Sequence, residues 1–285
     1  MANSANLMQD KICVVTGATS GIGLVTAQVL AREGATLIII ARHAERGAAT
    51  VSRIRQETGN AAVELMVADL SVQAQIRQLA DQIQHRFARL DVLINNAGAL
   101  FARRQLSQDG LEMTFALNHL AYFLLTNLLL DSLKTAGPAR IINVSSEAHR
   151  RARLDFSDLQ GQLRYSGWRA YARSKLANIL FTHELARRLG GTGIVTNALH
   201  PGLVATNFGR NNRGIAAALF RVVQLMAISP EEGARTIIHL ASSAAVEGVT
   251  GEYFVKERAV RSSQVSYDRA AAERLWQVSA ELTRL

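Results

Sequence analysis

Between residues 16 and 23 the chain reads TGATSGIG, directly after the apolar run KICVVT at residues 11–16. The glycines have the spacing Gly-x-x-x-Gly-x-Gly, and in residues 21–33 apolar side chains recur at the spacing of one helix face. A strand, a glycine-rich turn and a helix in this order form the start of a βαβ unit. The backbone of such a turn can approach a pyrophosphate, and the free amides of the helix N-terminus can bind it. The other interpretation is a close-packed turn that binds no ligand.

The alternation of apolar runs and amphipathic segments continues toward the C-terminus. Seven short apolar runs are expected to form strands, at residues 11–16, 36–41, 62–68, 91–95, 140–144, 194–199 and 252–255. They are nearly continuous in apolar residues, which is typical of strands covered on both faces. We therefore predict an α/β protein, a single-domain Rossmann fold over residues 1–285, with a doubly wound parallel sheet of about seven strands flanked by helices.

Helices are predicted over residues 71–87, where Asp69 and Ser71 offer N-cap side chains, and over residues 171–189. The apolar stretch 120–130 is predicted to be a buried helix. The two helices over 120–130 and 171–189 could pair between subunits of a homo-oligomer, or they could serve the core of one chain.

Residues 205–228 interrupt the alternation, with apolar side chains set among arginines. Because insertions at the carboxyl edge of a sheet often line the ligand site, we predict a substrate lid here. A contact with a partner or membrane, and an ordinary helix pair packed on the domain, are the alternatives.

Composition excludes several classes of protein. The one cysteine, Cys13, excludes intramolecular disulfides and multi-cysteine metal sites, and we expect no metal. The formal net charge of +9 would suit an anionic ligand, a membrane surface or nucleic acid, but no block of five basic residues occurs, so we expect no nucleic-acid partner. Residues 1–10 lack the features of a signal peptide, and the stretch 120–130 is shorter than the about 20 residues that span a bilayer. We expect no transmembrane segment and a cytoplasmic location.

Three predicted strand ends carry candidate nucleotide contacts. Arg42 follows the second strand, where it can pair with a 2′-phosphate and where no acidic residue is present, so NADP is favoured over NAD; a solvated surface arginine is the alternative. Asp69, after the third strand, could accept from an adenine amino group or cap a helix. After the fourth strand, the run 95–98 (NNAG) could bring backbone close to a cofactor, or its amides could tie strands together.

Tyr171 is followed four residues later by Lys175, one of only four lysines, on the same predicted helix face. We expect the ammonium to lower the pKa of the phenol from about 10, making Tyr171 an acid or base near neutral pH. An exposed helical pair is the alternative. Ser145 and Ser146 end the fifth predicted strand, where a hydroxyl can hold a carbonyl oxygen beside the tyrosine.

In this order the motifs resemble the short-chain dehydrogenase/reductase superfamily, from about residue 11 to residue 255. The matching positions are Thr16-Gly17-x-x-x-Gly21-x-Gly23, Asp69, Asn95-Asn96-Ala97-Gly98, Asn118, Ser146, Tyr171-x-x-x-Lys175 and His200-Pro201-Gly202-x-x-x-Thr206. The resemblance implies that Tyr171 moves the proton, that Ser146 rather than Ser145 orients the carbonyl oxygen, and that Lys175 lowers the phenol pKa and binds the nicotinamide ribose. It implies that Asn118 holds a water between Lys175 and solvent. The implied cofactor contacts are Gly17, Ser20, Gly21, Ile22, Gly23, Arg42, Asp69, Leu70, Asn96, Ala97, Gly98, Tyr171, Lys175, Gly202, Val204 and Thr206.

The segments 40–42, 143–149 and 174–178, and the distance of 25 positions between Ser146 and Tyr171, resemble the retinol dehydrogenase-like branch. Members of that branch generally use NADP(H) on retinoids or other lipophilic aldehydes and ketones. The resemblance thus implies an NADP(H)-dependent oxidoreductase that interconverts a small hydrophobic aldehyde or ketone and its alcohol through a Ser-Tyr-Lys set. The alternatives are an enone carbon-carbon double-bond reductase and a non-catalytic NADP-sensing protein.

Overall fold

Eight strands form one sheet in residues 7–202 and 228–285, the part of the chain that the computed structural model describes. In chain order they are β1 (Ile12–Thr16), β2 (Thr36–Ala41), β3 (Val63–Val67), β4 (Val92–Asn95), β5 (Arg140–Val144), β6 (Val195–His200), β7 (Tyr253–Val255) and β8 (Arg258–Ala259). Their order across the sheet is β3-β2-β1-β4-β5-β6-β7-β8. The first seven are parallel, and β8 runs antiparallel to β7. The predicted α/β fold with a doubly wound parallel sheet is confirmed.

All seven predicted strands are present within one residue of their predicted ends. The eighth strand was not predicted, because its two exposed residues, Arg258 and Ala259, are too few to show a periodic pattern.

Helices cover both faces of this sheet. They are α1 (Gly21–Arg32), α2 (Ala44–Thr58), α3 (Gln73–Arg86), α4 (Met113–Phe115), α5 (Ala121–Leu128), α6 (Leu130–Thr135), α7 (Gly167–Arg188), α8 (Pro230–Ser242) and α9 (Arg269–Thr283). Successive strand residues point to opposite faces, so Val14 packs with α3, α5 and α7, whereas Cys13 and Val15 pack with α1, α2 and α8. Cys13 is fully buried, as expected of a structural thiol, and burial raises the pKa of that thiol.

Two helix starts differ from the predictions. Neither Asp69 nor Ser71 caps α3, because Val72 is its N-cap residue and the Asp69 carboxylate instead accepts from the amide and hydroxyl of Ser71. The helix α7 begins at Gly167, four residues before the predicted start. Its first turn carries the exposed Trp168 and Arg169, so the apolar periodicity starts only after it.

The apolar stretch 120–130 is buried as predicted, but it is not one regular helix. A π-helical turn, Ala116–Leu120, leads into α5, and α6 begins at Leu130. Most side chains of α5 and α7 are buried within the chain, so these apolar stripes serve its own core. No helix in the described ranges is both long and apolar enough to cross a bilayer.

Candidate active site

The carboxyl ends of the parallel strands bring the predicted site residues to one edge of the sheet. Strand β1 leads into the turn at residues 17–20, β4 into residues 96–98, and β5 into Ser145 and Ser146. The helix α7 crosses the same edge and contributes Tyr171 and Lys175. This edge, at the point where the strand order reverses between β1 and β4, is where ligands bind in open α/β sheets.

The glycine-rich turn packs tightly against the turn after β4. Gly17 has a φ of +68°, and a Cβ built there would lie 2.9 Å from the Cα of Ala97. A Cβ on Gly23 would overlap the carbonyl oxygen of Gly17. Packing alone therefore requires both glycines. The same requirement is expected of a close-packed turn that binds no ligand.

The start of α1 also fits an anionic ligand. Ser20 is the N-cap residue, its side chain makes no capping hydrogen bond, and the first turn carries no acidic side chain. Among the residues that the structure describes, no side chain accepts from the amides of this turn, and the helix dipole favours a negative charge in front of them.

Two asparagine side chains at the end of β4 connect neighbouring parts of the sheet. Asn96 donates from Nδ2 to the carbonyl oxygen of Thr16 at 2.8 Å, and the hydroxyl of Thr16 accepts from the amides of Asn96 and Ala97. Asn95 donates to the side-chain oxygen of Asn143 on the neighbouring strand β5. These amides hold the two turns together and leave the backbone of residues 97–98 at the sheet edge.

Tyr171 is the buried acid at the centre of the site. Its side chain is 8% exposed, and its hydroxyl is hydrogen-bonded to the Ser146 side chain. Burial raises the pKa of the phenol to about 12, while the bond to Ser146 acts in the opposite direction.

Lys175 lies one helical turn further along α7 and is 3% exposed. Its Nζ donates to the carbonyl oxygen of Val144 at 2.8 Å and lies 5.7 Å from the centroid of the Tyr171 ring. Burial lowers the pKa of the amine to about 7. The expectation of a Tyr171 pKa below about 10 is wrong for the protein by itself, because the loss of hydration on burial outweighs what lowers the pKa of this phenol.

The two serines after β5 have different partners. The Ser145 hydroxyl donates to the backbone carbonyl of Lys175 at 2.7 Å, so it holds α7 against β5. The Ser146 hydroxyl accepts from the Ala148 amide at 3.3 Å and lies beside Tyr171. The geometry therefore pairs the hydroxyl of Ser146 with that of Tyr171, whereas the hydroxyl of Ser145 is bonded to the backbone of α7.

Asn118 lies in the π-helical turn and is fully buried. Its Nδ2 donates to the carbonyl oxygen of Ala99 and the hydroxyl of Ser174, and its Oδ1 accepts from the Ala99 amide. The side chain thus fixes the loop after β4 to α7. Its backbone oxygen accepts from Nδ2 of Asn178 at 2.9 Å.

The outlying site residues surround this centre. Arg42 is exposed directly after β2, where its Nε donates to His43 and, among the described residues, its two terminal nitrogens make no hydrogen bond. Asp69 is half-buried and Leu70 is buried beyond β3.

Gly202, two residues after β6, has a φ of +94°, and its amide donates to the His200 ring. Val204 and Thr206 lie outside the described residues, as does the predicted lid at 205–228 except for its last residue.

Three buried residues of the site were not predicted. His149 hydrogen-bonds through Nδ1 to the carbonyl oxygen of Ser146 at 2.7 Å, and His119 and Asn178 contact each other behind Asn118. His149 and Asn178 lie within the segments that resemble retinol dehydrogenases, but a polar side chain in a sequence does not by itself reveal its partner.

Comparison with known proteins agrees with this geometry. The family model described as short chain dehydrogenase matches residues 11–217. The chain is 43% identical over 272 residues to retinol dehydrogenase 12 of Mus musculus, covering 95% of this chain and 86% of that protein. It is 43% identical over 282 residues to retinol dehydrogenase 13 of Homo sapiens, with 96% and 85% covered. A short chain dehydrogenase from Escherichia coli CFT073, solved in complex with NADPH, superposes with a TM-score of 0.73 at 26% identity, covering 90% of this chain and 100% of that one.

Proposed function

The chain belongs to the short-chain dehydrogenase family and is similar to its retinol dehydrogenase-like branch, and from this premise we propose that it uses NADP(H) to interconvert a hydrophobic aldehyde or ketone and its alcohol. Membership makes it an NAD(P)-dependent oxidoreductase. The observation that carries the finer proposal is the buried Tyr171 hydroxyl, hydrogen-bonded to Ser146 at the carboxyl edge of the sheet, with Lys175 one helical turn away.

The proton chemistry follows from the burial of Tyr171. A phenol whose pKa is raised to about 12 keeps its proton at neutral pH, as a donor to a carbonyl oxygen must. The Ser146 hydroxyl and the phenol can both donate to that oxygen and stabilise the charge that develops on it. Alcohol oxidation uses the same atoms in reverse, with Tyr171 accepting the proton.

The residues for a nicotinamide dinucleotide are those of the sheet edge. The amides at the start of α1 would bind its diphosphate, residues 96–98 would lie beside its adenine-proximal part, and Lys175 would bind the nicotinamide ribose. When bound, the nicotinamide supplies or accepts the hydride. The protein positions the carbonyl, excludes water and moves the proton.

Arg42 supports NADP(H) over NAD(H). Its guanidinium is exposed where a 2′-phosphate would approach, and Arg42 follows β2 in place of the acidic residue that binds an unphosphorylated ribose. The structures similar to this chain include proteins solved with NADPH and NADP.

A lipophilic substrate is supported by the relatives and by the rim of the site. The relatives compared above are named retinol dehydrogenases. Trp168 is half-exposed, and its ring centroid lies 6.0 Å from that of Tyr171. An aromatic side chain in this place would contact an apolar substrate entering toward the phenol. The lid at residues 205–228 and the cytoplasmic location stay predictions.

The test is a panel of aldehydes and ketones with NADPH and of alcohols with NADP⁺, with retinal and retinol included, followed by the absorbance of the reduced nicotinamide and repeated with NADH and NAD⁺. We expect oxidation of NADPH with lipophilic carbonyls, at a higher kcat/KM than with NADH. No change in absorbance with any carbonyl or alcohol would contradict the proposal and favour an NADP-sensing protein. With an enone, an allylic alcohol is the expected product, whereas a saturated ketone would favour double-bond reduction.

A further inference from the structure

A chain of hydrogen bonds behind the site connects the C-terminal helix α9 to α7. His119 is fully buried in the π-helical turn, next to Asn118. Its Nδ1 lies 3.3 Å from Oδ1 of Asn178 on α7, and its Nε2 lies 2.9 Å from the Ser279 hydroxyl on α9. All three side chains are fully buried, and none of them belongs to the Ser-Tyr-Lys set.

The partners of Asn178 fix where the protons lie. Its Nδ2 faces two backbone oxygens, that of Asn118 at 2.9 Å and that of Val144 at 3.4 Å, so its amide must donate there. Oδ1 of Asn178 is then the acceptor, which requires a proton on Nδ1 of His119. Nε2 of the same ring is left as an acceptor for the hydroxyl of Ser279. The bonds thus all point one way, from α9 through His119 and Asn178 to the catalytic residues.

The chain ends on atoms that hold the catalytic lysine. The Val144 oxygen that accepts from Asn178 also accepts from Nζ of Lys175 at 2.8 Å. The Asn118 oxygen belongs to the residue whose side chain bonds to Ala99 and Ser174. An Asn178 amide turned the other way would place its oxygen against both carbonyl oxygens, and the place of Lys175 would change with them.

We propose that His119 is a positioning residue for the oxidoreductase reaction. Its Nδ1 proton holds the Asn178 amide in the orientation in which Nδ2 donates to the Val144 and Asn118 carbonyls, and through these carbonyls it fixes the place of Lys175 beside Tyr171. The effect of His119 on turnover rests on the proposed function, whereas the tautomer of its ring rests on the hydrogen bonds alone.

Simple packing is the competing role for this imidazole. Its ring centroid lies 5.0 Å from that of Phe115 and 6.2 Å from that of Phe181. The same aromatic cluster contains Phe123, which has no part in this chain of hydrogen bonds and packs at an angle against Phe181 and edge-on against Trp276. Phe123→Leu therefore serves as a control for a packing defect of similar size in the same place.

The kinetic test compares His119→Asn with His119→Leu. Asparagine keeps a side-chain N–H close to the position of Nδ1, whereas leucine leaves Oδ1 of Asn178 buried without a donor. We expect kcat to fall at least about tenfold in His119→Leu and to stay within about threefold in His119→Asn and Phe123→Leu, with the Kd for NADPH within about twofold throughout. Equal loss of kcat in both His119 variants, or a wild-type kcat in His119→Leu, would overturn the proposal.

A spectroscopic test does not depend on turnover or on the folding of the leucine variant. In ¹⁵N-histidine NMR of the wild-type protein, the resonances that disappear in His119→Asn identify this ring. We expect the neutral tautomer protonated on Nδ1, with a shift of its Nε2 resonance in Ser279→Ala. A ring protonated on Nε2 would overturn the proposal. If the wild type shows this tautomer but oxidises no NADPH with any carbonyl, the proposed function fails while the tautomer assignment stands.

Discussion

Burial shifts the pKa values of Tyr171 and Lys175, the two side chains of α7 in the proposed Ser-Tyr-Lys set, in opposite directions. It raises the pKa of Tyr171 to about 12 and lowers that of Lys175 to about 7, because in each case the charged form loses its hydration. At neutral pH the phenol therefore holds its proton, and the amine is divided between its charged and neutral forms. The site by itself has the protonation state that carbonyl reduction requires.

In the proposed function, the choice of cofactor depends on Arg42. Arg42→Asp places a carboxylate where a 2′-phosphate would approach, and it provides an acceptor for the two hydroxyls of an unphosphorylated ribose. We expect kcat/KM for NADPH to fall by about 10- to 100-fold, equivalent to about 1 to 3 kcal/mol, and the preference to move toward NADH.

Initial rates with both cofactors measure this change. The control is Arg258→Asp, on the exposed strand β8 at the far edge of the sheet, which has the same change of charge. It should leave kcat/KM for NADPH and for NADH within about twofold of wild type. An Arg42→Asp enzyme that still prefers NADPH as strongly as the wild type would show that another group binds the 2′-phosphate.

The contact between the glycine-rich turn and α1 is expected to tolerate no side chain. A methyl group at Gly23 would overlap the backbone oxygen of Gly17, which cannot move away as a flexible side chain would. We expect Gly23→Ala to lower the free energy of unfolding by about 1 to 3 kcal/mol, as measured by urea denaturation.

Gly190→Ala is the matched control for that substitution. Gly190 is exposed after α7, and a Cβ there would meet only the Arg187 oxygen, at an ordinary 3.5 Å. The free energy of unfolding of Gly190→Ala should stay within about 0.5 kcal/mol of the wild-type value. Equal free energies of unfolding for Gly23→Ala and Gly190→Ala would mean that the glycine-rich turn can make room for a methyl group without loss of stability.

Strands and helices with a strong apolar period were predictable from the sequence, and so were the residues that the sheet edge brings together. The seven parallel strands show nearly continuous apolar runs, and the end of β5 and the helix α7 place Ser146 and Tyr171 beside each other. The first turn of α7 was missed because its side chains are exposed. The direction of the Tyr171 pKa shift was wrong because a spacing of four residues reveals a neighbouring charge but not the depth of burial.

Acid should destabilise the folded protein through its buried histidines. Burial lowers the pKa of His119 to about 4, and it also lowers the pKa values of His149, His183 and His200. Above the unfolded value of about 6.5 these rings are neutral in both states. As the pH falls below that value, the unfolded chain binds protons that the folded protein excludes, so stability is lost.

For His119 this loss is on the order of 3 kcal/mol once the pH has fallen to about 4. Urea denaturation midpoints at a series of pH values from 7 down to about 5 measure the slope, and His119→Asn should have a shallower slope than the wild type. Identical slopes in the two proteins would show that His119 is protonated in the folded state or does not contribute.

Tyr171, as the group that moves the proton, is the residue on which the proposed reaction depends above all. The decisive measurement is the single-turnover rate of NADPH oxidation by Tyr171→Phe with a saturating lipophilic aldehyde, alongside the Kd for NADPH. The control is Tyr267→Phe, a partly exposed tyrosine whose hydroxyl accepts only from the Ser262 amide among the described residues. We expect Tyr171→Phe to lose at least about 100-fold in rate with a Kd within about twofold of wild type, and Tyr267→Phe to retain its rate. A Tyr171→Phe enzyme that turns over at the wild-type rate would contradict the account.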